Sequence, residues 1–336
     1  MAHEMDLSII IINWKSAAFL RNCLASIHAN TVDLSFETIV VDNGSFDGCG
    51  EMLEREFPGV IFIQSDENLG FAGANNLGFA HSKGRTVLFL NPDTEVVGPA
   101  LHVMWSFLES RADAGAVGGK LLNSDLSIQT SCIQRFPSIL NQILDFDCLR
   151  ELFPRSALWG TWPLFTDSAT PVGVDVISGA CLMVKRGVLE NVGVLSSDYF
   201  MYAEDVDLCY KIQQQGWKCY YVPQAVVVHH GGRSSDSKPE SNFAVIMTRE
   251  SMLTFMRKNK GSLYASAYRF TTALIAVGRL LALGVVVLLT AGKVRRNSIG
   301  VAFAKWFSIL RWALGLELWV KELERKSRRP EASLAV

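Results

Sequence analysis

An apolar run of strand length, Thr86-Val87-Leu88-Phe89-Leu90, stops at the polar triplet Asn91-Pro92-Asp93. Such a run suits a strand buried on both faces of a parallel sheet. Ligands of open α/β sheets bind where those strands end. A carboxylate at that edge can hold a hard cation against a diphosphate, because oxygen donors suit Mg²⁺ and Mn²⁺. Asn, Pro and Asp also build ordinary turns, so taken alone the triplet leaves a turn and a ligand both open. A second acidic cluster, Tyr199-Phe200-Met201-Tyr202-Ala203-Glu204-Asp205-Val206-Asp207-Leu208, opens a helical pattern. With a start near Glu204, Asp205 shares a face with Leu208 and Ile212, at spacings of three and seven, and should point inward. An inward carboxylate is a candidate general base; Glu204 and Asp205 could also simply complement the helix dipole. Asp207 is expected to pair with Lys211 at the surface. His229-His230-Gly231-Gly232-Arg233-Ser234 follows an apolar strand, where the glycine pair would let the chain approach a phosphate or metal.

Three more polar clusters sit at strand ends or helix starts: Asn13-Trp14, Asp42-Asn43-Gly44-Ser45, and the stretch Asn68-Leu69-Gly70-Phe71-Ala72-Gly73-Ala74-Asn75-Asn76-Leu77-Gly78. Small residues in the last let backbone approach a ligand closely, and Asn side chains both donate and accept. It matches neither a dinucleotide-binding glycine fingerprint nor a Walker A loop. That counts against a nicotinamide dehydrogenase and a P-loop enzyme.

The elements that must position these residues alternate. Strands are expected at Leu7–Ile12, Phe36–Val41, Val60–Ile63 and Thr86–Leu90, with helices from Ser16 as cap to Ile27, over Glu51–Glu56, and on to His81. Such alternation implies right-handed crossovers and a mostly parallel sheet, so the fold class is α/β. Residues 121–172 break the rhythm and read as a long aromatic- and Pro-rich excursion. Asp175–Val184 returns to strand character, interrupted at Ser178-Gly179. A helix over 204–215 ends at Gly216, and Cys219–Val222 and Val226–Val228 are further strands.

At 336 residues the chain can bury about three quarters of its unfolded surface without staples. A formal net charge of −1 gives no bulk reason to expect nucleic acid. Seven scattered cysteines lack CxxC spacing and read as reduced thiols, not a zinc site or disulfide frame. No secretory signal is expected, since acidic residues lead directly into a strand. The mean hydropathy of +0.20 is high, and the excess sits near the C-terminus. Phe270–Gly292 carries one charge, Arg279, and as a helix would run about 35 Å, enough to cross a core of about 30 Å. Arg257, Lys258, Lys260 and Arg269 precede it, and ten Lys/Arg against three Asp/Glu follow over residues 293–329. Basic flanks on both sides favour a hairpin or in-plane helices, with Ile299–Val320 as second leg and Trp306, Trp312 and Trp319 as interface anchors.

Taken in order, Ile10–Trp14, Val40–Ser45, Asn68–Gly78, Leu88–Thr94, Ser178–Ala180, Phe200–Leu208 and His229–Ser234 make the chain resemble family-2 glycosyltransferases of GT-A fold, in particular the rhamnosyltransferase-like branch. The resemblance covers about residues 6–235. It implies inverting transfer of a sugar from a nucleoside diphosphate donor, with deoxythymidine-diphospho-rhamnose (dTDP-rhamnose) as leading donor. By the same resemblance Asn13, Asp42, Asn68, Gly70, Asn75, Asn91 and Asp93 would line the donor site. Asp93 and His229 would hold Mg²⁺ or Mn²⁺, Asp205 would deprotonate the acceptor hydroxyl, and Gly179, Glu204 and His230 would lie on the acceptor side. Many relatives carry two carboxylates at the metal turn, whereas position 91 here is Asn. The expected organisation is a catalytic domain over about 1–240, with a nucleotide half to about 120 and an acceptor half beyond it. A helical membrane-associated region over 241–336 would hold the enzyme on the cytoplasmic face, near a polyprenyl-linked or other glycan acceptor. A non-catalytic nucleotide-sugar or glycan binder and a nucleotidyltransferase are the competing classes. The latter would usually show a basic Gly-rich loop near the first strand, and Ser16–Ala18 supplies none.

Overall fold

The computed structural model describes residues 5–145, 147–231, 242–289 and 296–327. The chain divides into two compact units: Met1–Phe136, Arg150–Ser197 and Glu204–Asp236 form one, and Pro137–Leu149, Asp198–Ala203 and Ser237–Val336 the other. In chain order the elements are β1 (Leu7–Asn13), α1 (Ala17–Asn30), β2 (Phe36–Asn43), α2 (Cys49–Glu56), β3 (Ile61–Ser65), α3 (Gly70–Ala80), β4 (Thr86–Leu90), β5 (Thr94–Val97), α4 (Ala100–Ser110) and β6 (Ala114–Leu122). Then come β7 (Ile133–Gln134), α5 (Ile139–Ile143), α6 (Asp147–Leu152), β8 (Val172–Val174), β9 (Val176–Ile177), β10 (Cys181–Lys185), α7 (Arg186–Val192), α8 (Glu204–Gln214) and β11 (Lys218–His229). Four helices close the described chain: α9 (Phe243–Lys260), α10 (Ser262–Leu289), α11 (Arg296–Ala313) and α12 (Leu318–Ser327).

The main sheet runs β3-β2-β1-β4-β10-β6-β11-β5, with β8 also paired to β11. Its β3-β2-β1-β4 half is parallel, and β10 enters antiparallel between β4 and β6. Every residue of β1 and β4 is buried, as their predominantly apolar sequences require when helices cover both faces. One face packs Leu20, Leu24 and Ile27 of α1 with Leu101, Met104 and Leu108 of α4. The other packs Ala72 and Ala74 of α3 with Leu208 and Ile212 of α8. Each large side chain so buried is worth about 1.5–3 kcal/mol relative to exposure.

Several elements depart from the sequence expectation. β6 has the sequence AGAVGGKLL, which strand propensity disfavours. Space is the reason for it, since a Cβ at Gly118 would collide with Ile177 and one at Gly119 with the Ala225 carbonyl. Cys219–Val222 and Val226–Val228 belong to one strand, β11, whose register shifts between Val222 and Val226, around Pro223. Ser16 makes no side-chain cap to α1; instead Ala17 N–H donates to Asp47 Oδ2 at 3.0 Å.

In the helical unit, α10 spans 28 residues with a mean hydropathy of 2.4 in its most apolar window. At 1.5 Å per residue it is about 42 Å long, enough to cross a bilayer. Its outer face is bare, with Leu274 56%, Leu281 67% and Leu288 81% exposed. Trp312 is not an interface anchor. It is buried, its indole N–H donates to Glu250 Oε2 at 2.6 Å, and Tyr268 packs edge-on against it. Trp319 likewise donates to Glu317 and stacks on Phe243. The basic flank is partly engaged within the unit: Arg269 donates to the Trp312 and Ala313 carbonyls at the α11 C-terminus, and Lys260 to the Pro137 carbonyl. Residues 290–295 of the expected hairpin lie outside the described residues.

Candidate active site

Asn91-Pro92-Asp93 occupies the gap between β4 and β5. Thr94 Oγ1 donates to the Asn91 carbonyl at 2.8 Å and closes the turn. Pairing of β11 with β5 sets His229 opposite Thr94, and His230 N–H donates to the Asp93 carbonyl at 2.9 Å. This register brings together two residues 136 positions apart. His229 Nε2 lies 3.3 Å from Asp93 Oδ1 and 3.3 Å from Asn91 Nδ2. A carboxylate and an imidazole converge at one strand end, donors that fit a divalent cation completed by diphosphate oxygens or water, while Asn91 turns its amide N–H to the imidazole. His230 faces away from this cluster. Its Nδ1 meets Ser124 Oγ at 2.9 Å and its Nε2 meets Glu95 Oε1 at 3.0 Å. Gly232, Arg233 and Ser234, the end of that motif, lie outside the described residues.

Asp205 stands in the first turn of α8, directly after Tyr202 and Ala203, two consecutive non-glycine residues at φ 68° and 66°. Strain of this kind persists where surroundings over-determine the backbone. Asp205 Oδ2 accepts the Gly179 N–H at 2.7 Å, and one residue on, the Ala180 carbonyl accepts the Asn91 N–H at 3.0 Å. The Ser178–Ala180 turn therefore ties the carboxylate of α8 to the Asn91–Asp93 turn after β4. Gly179 leaves no room to spare: a Cβ there would lie 3.3 Å from Asp205 Cβ and 3.6 Å from the Phe71 ring. Glu204 is buried, and its Oε2 has no partner among the described residues. Burial, then the neighbouring Asp205 charge, pushes Glu204 up to about 8, and burial pushes Asp205 above the usual carboxylate range as well. Asp207 differs from expectation: it lies 4.0 Å from Lys211 but is wholly buried instead of being at the surface.

The residues expected on the donor side form a connected network. Asp42 is buried, and its oxygens accept from Asn13 Nδ2 at 2.9 Å, Ser45 Oγ, Phe46 N–H at 3.0 Å and Gln64 Nε2 at 2.8 Å. Burial raises its pKa, but these donors outweigh that and hold it below the usual value. Asn43 emerges as the link between β2 and α3. Its Oδ1 accepts the Leu69 N–H at 2.8 Å and its Nδ2 donates to Asn68 Oδ1 at 3.1 Å, while Gly70 N–H also donates to Asn68 Oδ1. Nothing in the spacing distinguishes Asn43 from an ordinary turn residue. Asn75 is buried and donates to the Phe71 carbonyl of its own helix. A cavity of about 570 Å³ opens beside Asp42, lined by Phe46, Phe62 and Gln64 among others. Asp42, Asp47 and Cys49 bring their ligand-type atoms within 4.8 Å of one another. The two carboxylates are occupied by Asn13, Gln64 and backbone N–H groups, and burial pushes the Cys49 thiol up. That group reads as scaffold.

A parallel half-sheet joined to antiparallel strands, with polar clusters at its strand ends, is the GT-A fold of glycosyltransferases. Residues 8–193 match glycosyl transferase family 2, and the chain belongs to that family. It is 30% identical over 252 residues to the N-acetylglucosaminyl-diphospho-decaprenol L-rhamnosyltransferase of Mycobacterium tuberculosis, covering 71% of this chain and 80% of that one. It is 25% identical to rhamnosyltransferase WbbL of Escherichia coli, covering 68% and 86%. Among solved structures, the mannosyltransferase PcManGT of Pyrobaculum calidifontis, in complex with GDP-Man and Mn²⁺, shares the fold with a TM-score of 0.59. That likeness covers 95% of this chain and 89% of that one at 17% identity. The protein is a glycosyltransferase.

Proposed function

We propose that the enzyme transfers rhamnose from dTDP-rhamnose, with inversion, to a hydroxyl of a polyprenyl-diphosphate-linked glycan at the cytoplasmic face of a membrane. The observation that carries the mechanism is the shared Ser178–Ala180 turn, which holds Asp205 through Gly179 and the Asn91–Asp93 turn through Ala180. The two halves of a displacement, a base and a leaving-group site, are thereby fixed to one piece of backbone. Asp205 takes the proton of the acceptor hydroxyl as it attacks the anomeric carbon, and its raised pKa matches that task. Asp93 and His229 would hold Mg²⁺ or Mn²⁺, which supplies charge neutralisation to the departing diphosphate. The network around Asp42 and Asn13, with the adjoining cavity, offers the base and ribose a rigid wall. The rhamnosyltransferase relatives support the donor, and the decaprenol named for the mycobacterial relative supports the lipid-linked acceptor. The bare face of α10 supports residence at the bilayer.

The test is a donor screen with Mn²⁺ or Mg²⁺, with and without polyprenyl-diphosphate-N-acetylglucosamine. The expected result is acceptor-dependent release of dTDP that chelator suppresses and Asp93→Ala abolishes. Turnover of a different nucleotide sugar in preference to dTDP-rhamnose would refute the donor assignment, and undiminished turnover by Asp93→Ala would refute the cation site.

A further inference from the structure

A chain of side chains reaches His229 from the loop after β6, and its polarity can be worked out one bond at a time. Asp125 is exposed, and the Ser127 hydroxyl and N–H hold its carboxyl below the usual range, so it only accepts. Ser127 Oγ donates to Asp125 Oδ1 at 2.6 Å, which commits its one proton. The same oxygen must therefore accept from Asn123 Nδ2, 2.9 Å away. That turns Asn123 Oδ1 toward Gln129, whose Nε2 donates to it at 3.0 Å. A second constraint agrees, because Gln129 Nε2 also lies 3.3 Å from the His229 carbonyl, which can only accept. Gln129 Oε1 is left facing His229 Nδ1 at 2.7 Å. An amide oxygen cannot donate, so Nδ1 carries the proton.

We infer that Gln129 is a positioning residue that fixes the His229 tautomer, so that Nε2 presents a lone pair toward Asp93 and the cation. This rests on the cation site proposed above. In the neutral ring Nε2 then accepts from Asn91 Nδ2 at 3.3 Å and also faces Asp93 Oδ1 at 3.3 Å, and a bound cation would bridge these two lone-pair atoms. Gln129 touches neither donor nor acceptor in this role. It acts through the orientation and basicity of the ring, and Asn123, Ser127 and Asp125 act through Gln129.

The experiment measures Mn²⁺ affinity of the full chain, by the loss of free Mn²⁺ signal in electron paramagnetic resonance, with dTDP present. Gln129→Met keeps length and removes the acceptor; it should weaken Mn²⁺ binding by about tenfold to a hundredfold, the usual cost of losing such an outer partner. Gln129→Glu restores an acceptor for Nδ1–H and should recover most of that affinity. Nitrogen-15 spectra of His229 in the metal-free protein, taken near pH 8.5 where an ordinary imidazole is neutral, should show Nδ1 protonated in the wild type and a tautomer mixture in Gln129→Met. Wild-type Mn²⁺ affinity in a folded Gln129→Met, or a ring protonated at Nε2 in the wild type, overturns the inference. Asp93→Ala and His229→Ala are the controls that separate the two readings. If both bind Mn²⁺ as the wild type does, the cation site itself is wrong and the inference falls with it. If both lose binding while Gln129→Met keeps it, only the role of Gln129 is wrong.

Discussion

Asp205 Oδ2 accepts the Gly179 N–H at 2.7 Å, and a side chain at position 179 would sit 3.3 Å from Asp205 Cβ. The carboxylate and the glycine are thus fitted to each other, and Gly179 has a reason to lack a Cβ that is independent of strand propensity. Gly179→Ala should displace the carboxylate by a few tenths of an ångström without unfolding a surrounding core that is otherwise unchanged. Misplacement near the reacting atoms is costly, up to about 10²-fold for 1 Å. The expected outcome is a fall in kcat of roughly tenfold with little change in donor KM, read in steady-state assays beside an unaltered melting curve.

Asp205→Asn keeps an oxygen for the Gly179 N–H and removes the base. Positioned proton transfer contributes about 10²–10⁴-fold, so kcat should fall within that range while dTDP binding persists. A drop of less than about tenfold would move the base elsewhere.

Glu204 adds a pH signature. Its folded pKa of about 8 lies above its ordinary value, so the folded state binds the proton more tightly than the unfolded chain. Stability is then greatest below the ordinary value and falls as pH rises toward about 8. Glu204→Gln removes that slope. Melting temperatures taken between pH 5 and 9 should decline less for the variant than for the wild type. The acid limb of the rate profile should stay where it is, because Glu204 is neutral where Asp205 titrates and burial, not a neighbouring charge, raises Asp205.

Much of the scaffold was legible because it is written in contiguous residues. β1 and β4 are predominantly apolar runs, and the helix beginning at Glu204 is marked by Leu208 and Ile212 at the right spacing. β6 was not legible, since its Gly and Ala are selected by neighbours at Ile177 and Ala225 that no local window contains. Trp312 misled for the same reason. An indole in an amphipathic segment looks like an interface anchor until Glu250, 62 residues earlier, is seen to take its N–H. At the site, Asp93 and His229 were singled out by their place at strand ends and given metal-holding roles through family resemblance, whereas Gln129 carried no signal. A polar loop residue 100 positions from the histidine it orients shows its role only when β11 and β6 are side by side.

Asn91 places an amide where a second carboxylate would be expected to strengthen cation binding. Asn91→Asp should therefore tighten Mn²⁺ several-fold in the presence of dTDP. It also removes the Asn91 Nδ2–H that His229 Nε2 meets at 3.3 Å and sets two carboxylates side by side. The melting temperature in chelator should accordingly drop below wild type and recover on adding Mn²⁺. Unchanged affinity with unchanged melting would place Asn91 outside the cation's reach.

The outer face of α10 offers a test in which stability and membrane binding separate. Leu281 is 67% exposed, so Leu281→Glu removes little internal packing and should leave melting within about 0.5 kcal/mol of wild type. In a bilayer the same change places a carboxylate in hydrocarbon, at a cost approaching about 3 kcal/mol for a central position. Binding to phospholipid vesicles should fall by up to about a hundredfold, measured by flotation. Ala276→Glu is the contrast, because Ala276 is fully buried and its replacement should unfold the helical unit. If Leu281→Glu floats with vesicles as the wild type does, the bare face of α10 does not meet lipid, and the membrane assignment fails while the catalytic site stands.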